Sequence, residues 1–181
     1  MPELSLKLAE PEPKAFWQVM SNRAVSVSII TAIAGDHPAG FLGLSASHLT
    51  AFPPLLTVSI DLRTSALEVI RSSKAFAVNY LSEQGQDTYT RFSSGSRGAA
   101  RFEGIGWKKL LTGAPIFNTV VAAFDCRVED FIERDGVVLA VGRVVSTLED
   151  RHARPLVYFR GQVGHLPGTF DADAGPSYLS Y

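Results

Sequence analysis

Two short segments of this 181-residue chain gather groups that bind anions, and they flank one β-forming run. Gly43 to Thr50, GLSASHLT, sets small residues beside hydroxyls, a composition that lets a ligand approach the backbone with several side-chain donors in reach. Arg63-Thr64-Ser65 stands at the entry to SALEVIRSS, where amide hydrogens, two hydroxyls and a guanidinium can converge on a phosphate. Each segment also has a plain reading: a serine-rich turn for the first, a capped helix with a solvated arginine for the second. Other chemistries lack their residues. His37, His48, His152 and His165 have no HExxH spacing, and Cys126 is the only cysteine, so no metal site is expected. GxSxG, Walker and GxGxxG runs are absent, which removes support for a serine hydrolase or a Rossmann dehydrogenase.

The remaining reactive types read as structure. Cys126 falls in a β-rich stretch without a partner cysteine and is expected to be a small buried side chain. Trp17 and Trp107 are expected to pack rather than stack on bases. Arg97 and Arg101 either guard an entrance or sit on a solvated loop between Ser93 and Gly104. Asp125, Glu129 and Asp130 show no paired-carboxylate arrangement.

The elements that must position these groups are mostly strands. Residues 1–13 carry three prolines and several charges and read as an arm. Phe16, Trp17, Val19 and Met20 predict a short helix after Pro13 with its apolar side in the core. AVSVSIITAIA over 24–34 alternates with the period of a half-buried strand; Gly35-Asp36-His37-Pro38 supplies a turn, and 39–44 completes a hairpin. LLTVSID from Leu55 predicts a further strand. Ser65 with Glu68 forms an S-x-x-E capping box for a short helix, KAFAVNYL follows as a strand, and Ser82 is placed to cap a helix through Tyr89 to Phe92. Two β-rich stretches within 119–148 join at Arg134-Asp135-Gly136, and LVYF and QVGHL flank Arg160-Gly161. Short strands with few helices favour a closed antiparallel barrel over a doubly wound parallel sheet. The expected layout is an arm over 1–13, one domain over 14–167 and a tail over 168–181, with no repeat or linker.

Composition narrows the partners. Lys and Arg number 17 against 18 Asp and Glu, a balance that argues against nucleic acid. The 46% hydrophobic content supports a folded core, and one core is the default at this length. No apolar run reaches the ~18 residues of a membrane span, and the charged start MPELSLKLAEPEPK does not read as a signal peptide. With one cysteine, a cytoplasmic location is expected.

In this order, AVSVSIITA, GFLGLSASHLTAFPPLLTVSID, KAFAVNYLS, Arg91-Phe92, RFEGIGWKKLLTGAPIF and RPLVYFRG resemble the flavin reductase family, small reductase components of two-component monooxygenases. The resemblance runs from Phe16 to Leu166. It implies a mainly β fold, an FMN-binding split antiparallel β-barrel with a few short helices, working as a homodimer. It implies hydride transfer from NAD(P)H to FMN, or to FAD, and an oxygenase partner that takes reduced flavin. Implied cofactor contacts are Pro38, Ala39, Gly40, Phe41, Leu42, Leu44 and Ser45, with Ser47 close by, then Ser59, Ile60 and Asp61, then Ser65, Ala66, Arg91 and Phe92. Tyr158, Phe159, Arg160 and Gly161 are implied on the nicotinamide side, and no catalytic side chain is assigned.

The chain departs from the family pattern at several places. Its arginine at the helix entry, Arg63, stands two places early, and Leu42, Leu44 and His48 replace small or hydroxyl residues. Where many members carry Gly-Asp-His, this chain reads Asp135-Gly136-Val137, so the histidine expected near the nicotinamide is a valine. Val137 keeps open a non-catalytic flavin carrier, and the apolar Leu42 and Leu44 keep open a barrel that binds no flavin.

Overall fold

The computed structural model describes residues 10–94 and 98–166. Most of the expected arm, the tail and Arg97 lie outside the described residues. The first helix, α1 (Pro13–Met20), starts at a proline, whose fixed φ and missing N–H suit a first turn. Its expected burial is not found: none of its residues is buried, and Trp17 and Val19 are 67% and 72% exposed. Apolar residues at 16, 17, 19 and 20 do not repeat at helical spacing over enough turns to seat a helix against a sheet.

Among the described residues, twelve strands follow with two more α-helices. They are β1 (Val25–Ser26), β2 (Ser28–Ala34), β3 (His37–Leu42), β4 (Ser47–Ala51), β5 (Pro54–Asp61), β6 (Ala75–Leu81), β7 (Trp107–Lys109), β8 (Pro115–Phe117), β9 (Val120–Arg134), β10 (Val137–Glu149), β11 (Leu156–Phe159) and β12 (Gln162–His165). The helices are α2 (Ala66–Ser73) and α3 (Gln86–Ser93). Seven strands pair antiparallel in the order β3-β2-β6-β9-β10-β5-β4, β1-β11-β12 form a separate sheet, and β7-β8 a third. The fold is mainly β, and its sheets stay open with β3 and β4 as edges, as the split barrel of the resemblance implies. This differs from the closed barrel expected from strand pattern alone, which carries no signal for which edges pair. The turn at residues 35–36 is shorter than predicted because His37 and Pro38 already pair with Ala34 and Ile33. Residues 47–51, read as part of a ligand loop, are the edge strand β4.

Apolar side chains cover both faces of the large sheet, so the expected single core is two clusters. Ile29 and Ala77 face Phe92, Phe102 and Phe117, while Ile30, Phe76 and Val78 face Val58, Ile70 and Val138. β2 is therefore buried on both sides rather than half-buried, and its polar residues must find partners inside. Asn79 Nδ2 donates to Ile29 O, Thr31 Oγ1 and Pro115 O at 3.2, 3.1 and 3.2 Å, while Phe117 N donates to Asn79 Oδ1 at 2.9 Å. Gly142 opens space for the same packing: a Cβ there would meet Phe76 Cζ at 2.4 Å.

The helices form where expected but by other means. Ser65 is already helical in backbone and makes no capping bond, while Glu68 accepts instead from Arg71 at 3.2 Å. Leu67 and Ile70 bury one face of α2 and hold it in the absence of the cap. Ser82 caps nothing; its Oγ donates to Thr119 O at 3.0 Å, and a 3-10 turn over Glu83–Gly85 leads into α3. Asp135 and Gly136 both have positive φ, the backbone that a two-residue hairpin requires.

Candidate functional site

A cleft of about 510 Å³ opens where the small sheet meets the large one. Its walls come from Trp17 and Met20 of α1, Arg23 and Val25, the stretch Phe41 to Ser45, Ser59 and Asp61 of β5, Thr64, and Tyr158 of β11. β1 pairs Val25 with Tyr158, which brings the C-terminal hairpin beside the start of the chain. Gly43 permits the tight turn after β3: its N donates to Ser28 O at 2.9 Å, and a Cβ would meet Ile30 Cγ1 at 2.4 Å. Ser45 Oγ donates to Ser59 O at 3.2 Å and accepts from Ser59 N at 3.3 Å, locking the turn onto β5. A smaller hollow of about 360 Å³ adjoins the cleft, sharing Arg23, Val25, Leu44 and Ser45 and adding Ser26, Ser28, Ala46, Ser47 and Tyr80.

Among the residues expected around flavin, Phe41, Leu42, Leu44, Ser45, Ser59 and Asp61 share the cleft, and Ser47 lies in the hollow. Ser65 and Ala66 follow Thr64 at the entry to α2, with the Ala66 side chain buried. Pro38, Ala39 and Gly40 lie further back on β3, and the Ile60 side chain points into the core. Phe92 is not brought to the cleft: it is 3% exposed and packs edge-on against Phe102 and Phe117. Arg91 also lies away from the cleft wall, its Nη1 donating to Glu103 O at 2.7 Å.

Two further arginines are committed. Arg63 Nε and Nη2 donate to Asp61 Oδ1 and Oδ2 at 2.9 and 2.8 Å, and Arg63 N donates to Oδ1 at 2.8 Å. The hydrogen-bonded guanidinium and backbone amide hold the Asp61 carboxyl at about 2, well below the ordinary carboxylate range. The convergence of Arg63 on a phosphate is therefore not the arrangement seen. Arg160 N donates to Ser21 O at 3.0 Å, Arg160 Nε to Asn22 Oδ1 at 2.8 Å, and its guanidinium lies 5.0 Å from the Phe159 ring centroid. Of the segment 158–161, Tyr158 alone lines the cleft, while Phe159, Arg160 and Gly161 form the neighbouring hairpin end.

Val137 pairs with Asp61 at the end of the β5–β10 ladder, and Leu62 N donates to Gly136 O at 3.1 Å. The Asp135-Gly136-Val137 hairpin thus ends beside an acidic wall residue of the cleft. Gly43 and Thr64 come from the two anion-binding segments of the sequence, whereas Trp17, Met20, Ser21, Arg23 and Val25 are cleft residues that sequence reasoning passes over. Trp17 had been expected to pack, yet it is an exposed wall; no local pattern marks a residue brought to a site by a distant hairpin. Cys126 is buried as expected, and burial, with the Asp125 charge beside it, pushes its thiol up to about 12.

Comparison with known proteins gives one consistent answer. The model of the flavin reductase like domain matches residues 20–167. The reductase subunit HsaB of a flavin-dependent monooxygenase from Rhodococcus jostii is 36% identical over 83% of this chain and 76% of its own length. The FMN reductase (NADH) RutF of Bradyrhizobium diazoefficiens is 29% identical over 96% of both chains. Among solved structures, a homologue of nitrilotriacetate monooxygenase component B from Mycobacterium thermoresistibile superposes with a TM-score of 0.79 at 28% identity, over 92% of this chain and 96% of that one. A sequence match over most of the chain and a shared split-barrel architecture place this protein in the flavin reductase like domain family.

Proposed function

We propose that the cleft transfers hydride from NAD(P)H to flavin and that reduced flavin then serves an oxygenase component. The observation that carries this reading is the meeting of residues 41–45, Ser59 and Asp61 with Tyr158 in one cleft. FMN is the flavin assigned, with FAD the alternative; the name of the RutF relative, an FMN reductase using NADH, supports both FMN and the dinucleotide. The HsaB relative, a monooxygenase reductase subunit, supports an oxygenase partner.

The residues present fit a flavin. A cleft of about 510 Å³ is within the about 300–1,000 Å³ of small-molecule sites. Phe41, Leu42, Leu44 and Tyr158 offer apolar walls to a planar ring, while Ser59 and Thr64 offer polar groups along one side. Ser65 and Ala66, at the start of α2, would receive the flavin phosphate on backbone N–H groups. Bound flavin supplies the hydride-accepting chemistry, so the protein's task is to hold two rings together and exclude water. Asp61, ionised and held by Arg63, serves as a fixed charge rather than a proton carrier.

NADH consumption by the purified protein under air, with and without added FMN, tests the reading. Flavin-dependent turnover is expected. Bound flavin without turnover would overturn it in favour of a flavin carrier, the reading that Val137 supports at the cleft-side end of the β9–β10 hairpin. We also place the protein as a homodimer in the cytoplasm. The exposed apolar residues on α1 support the first, and among the described residues no helix is long and apolar enough to cross a membrane.

A further inference from the structure

The arginines considered as anion holders divide sharply by what they touch. Arg63 is taken by Asp61, Arg91 by Glu103 O, and Arg160 by Asn22 and the Phe159 ring. Arg23 lines both the cleft and the smaller hollow, and its guanidinium makes no hydrogen bond or ion pair among the described residues. No carboxylate lines the hollow; beside Arg23 its polar groups are the hydroxyls of Ser26, Ser28, Ser45, Ser47 and Tyr80. Ser28, Ser45 and Ser47 already donate to backbone carbonyls, which leaves Arg23, Ser26 and Tyr80 as the donors for a guest. An apolar cleft joined at one guanidinium to a hydroxyl-rich hollow suits a ligand that carries a ring at one end and an anion at the other.

We infer that Arg23 is an anion anchor that receives a phosphate of the nicotinamide dinucleotide, in the hollow, while the nicotinamide occupies the adjoining cleft. The inference rests on the reductase reading and adds to it the residue that holds the second substrate. The side of the cleft decides between two phosphate sources. Val25, two residues from Arg23, pairs with Tyr158 on the strand assigned to nicotinamide, whereas the flavin phosphate is assigned to the entry of α2. Phosphate held by a guanidinium is a charge-assisted contact, and one near the surface weakens with salt.

Calorimetric titration with NAD+ tests the assignment on wild type, Arg23→Gln and Arg23→Lys, with FMN titrated in parallel and thermal midpoints recorded. Arg23 is exposed, so both variants are expected to fold as the wild type does. The expected result is an NAD+ dissociation constant raised about ten-fold or more in Arg23→Gln and partly restored in Arg23→Lys, with FMN affinity unchanged. The KM for NADH should rise in step, and the salt dependence of NAD+ binding should flatten in Arg23→Gln. Unchanged NAD+ affinity, undetectable NAD+ binding by wild type, or a loss confined to FMN would each overturn the anchor, the last by giving Arg23 to the flavin phosphate. If NAD+ binding depends on Arg23 but no flavin-dependent NADH oxidation occurs, the anchor stands and the reductase reading fails.

Discussion

Asp61 and Arg63 show how two residues set the charge of a cleft wall. The pair is solvent-exposed, with side-chain exposures of 44% and 90%, so its value lies in orientation more than in stability. Three hydrogen bonds from Arg63 stabilise the ionised carboxyl, which places its titration at about 2 rather than near the ordinary 3.8. A depressed carboxyl favours the folded state above its unfolded value and loses that contribution as pH falls through the folded one, here between about 4 and about 2. Arg63→Gln removes the charge and the fork, and the Asp61 titration should move up toward 3.8 when followed by carboxyl carbon NMR. A value still near 2 would mean that the Arg63 backbone amide alone holds the carboxyl.

At the scale of elements, Asn79 ties three pieces of chain that the sequence does not bring together. It sits on β6, donates across to β2 and to Pro115 O, and accepts from Phe117 N of β8. Asn79→Ala would strand several buried partners, for a loss of about 2–3 kcal/mol in a denaturant titration; a loss below about 0.5 kcal/mol would show that water replaces the amide. Residues of this kind mark where the sequence stopped being readable. β2, β5, β6 and the β9–β10 hairpin were legible because alternation, Val and Ile content and the Asp-Gly turn are local signals. β4, β7 and β8 were not, since Ser47–Ala51, Trp107–Lys109 and Pro115–Phe117 are short and owe their form to neighbouring chain. The same division holds in the cleft. Ser45, Ser59 and Asp61 lie on segments with a recognisable pattern, whereas Arg23 and Trp17 join the site only because β1 pairs with β11.

For the whole molecule, the unburied apolar surface poses the remaining question. Phe16, Trp17 and Val19 stand on one helix, and Leu49 and Phe52 lie on and just past the edge strand β4, with Phe52 97% exposed. Apolar side chains gathered this way are costly to hydrate, at roughly 25 cal/mol per Å². A second copy covering α1 would remove that cost, and because Trp17 and Met20 also line the cleft, covering α1 would fix one wall of the site. Association and flavin affinity should then be linked, since a ligand that binds the dimer better than the monomer pulls the equilibrium toward the dimer by the same factor. Light scattering across a dilution series, with and without FMN, should show a dimer that dissociates at higher dilution when flavin is present. Trp17→Ala should weaken both dimer and flavin binding. If the protein remains a monomer at every concentration and binds FMN as tightly as the wild-type site allows, α1 is a wall of a self-sufficient cleft and its outer face has some other use.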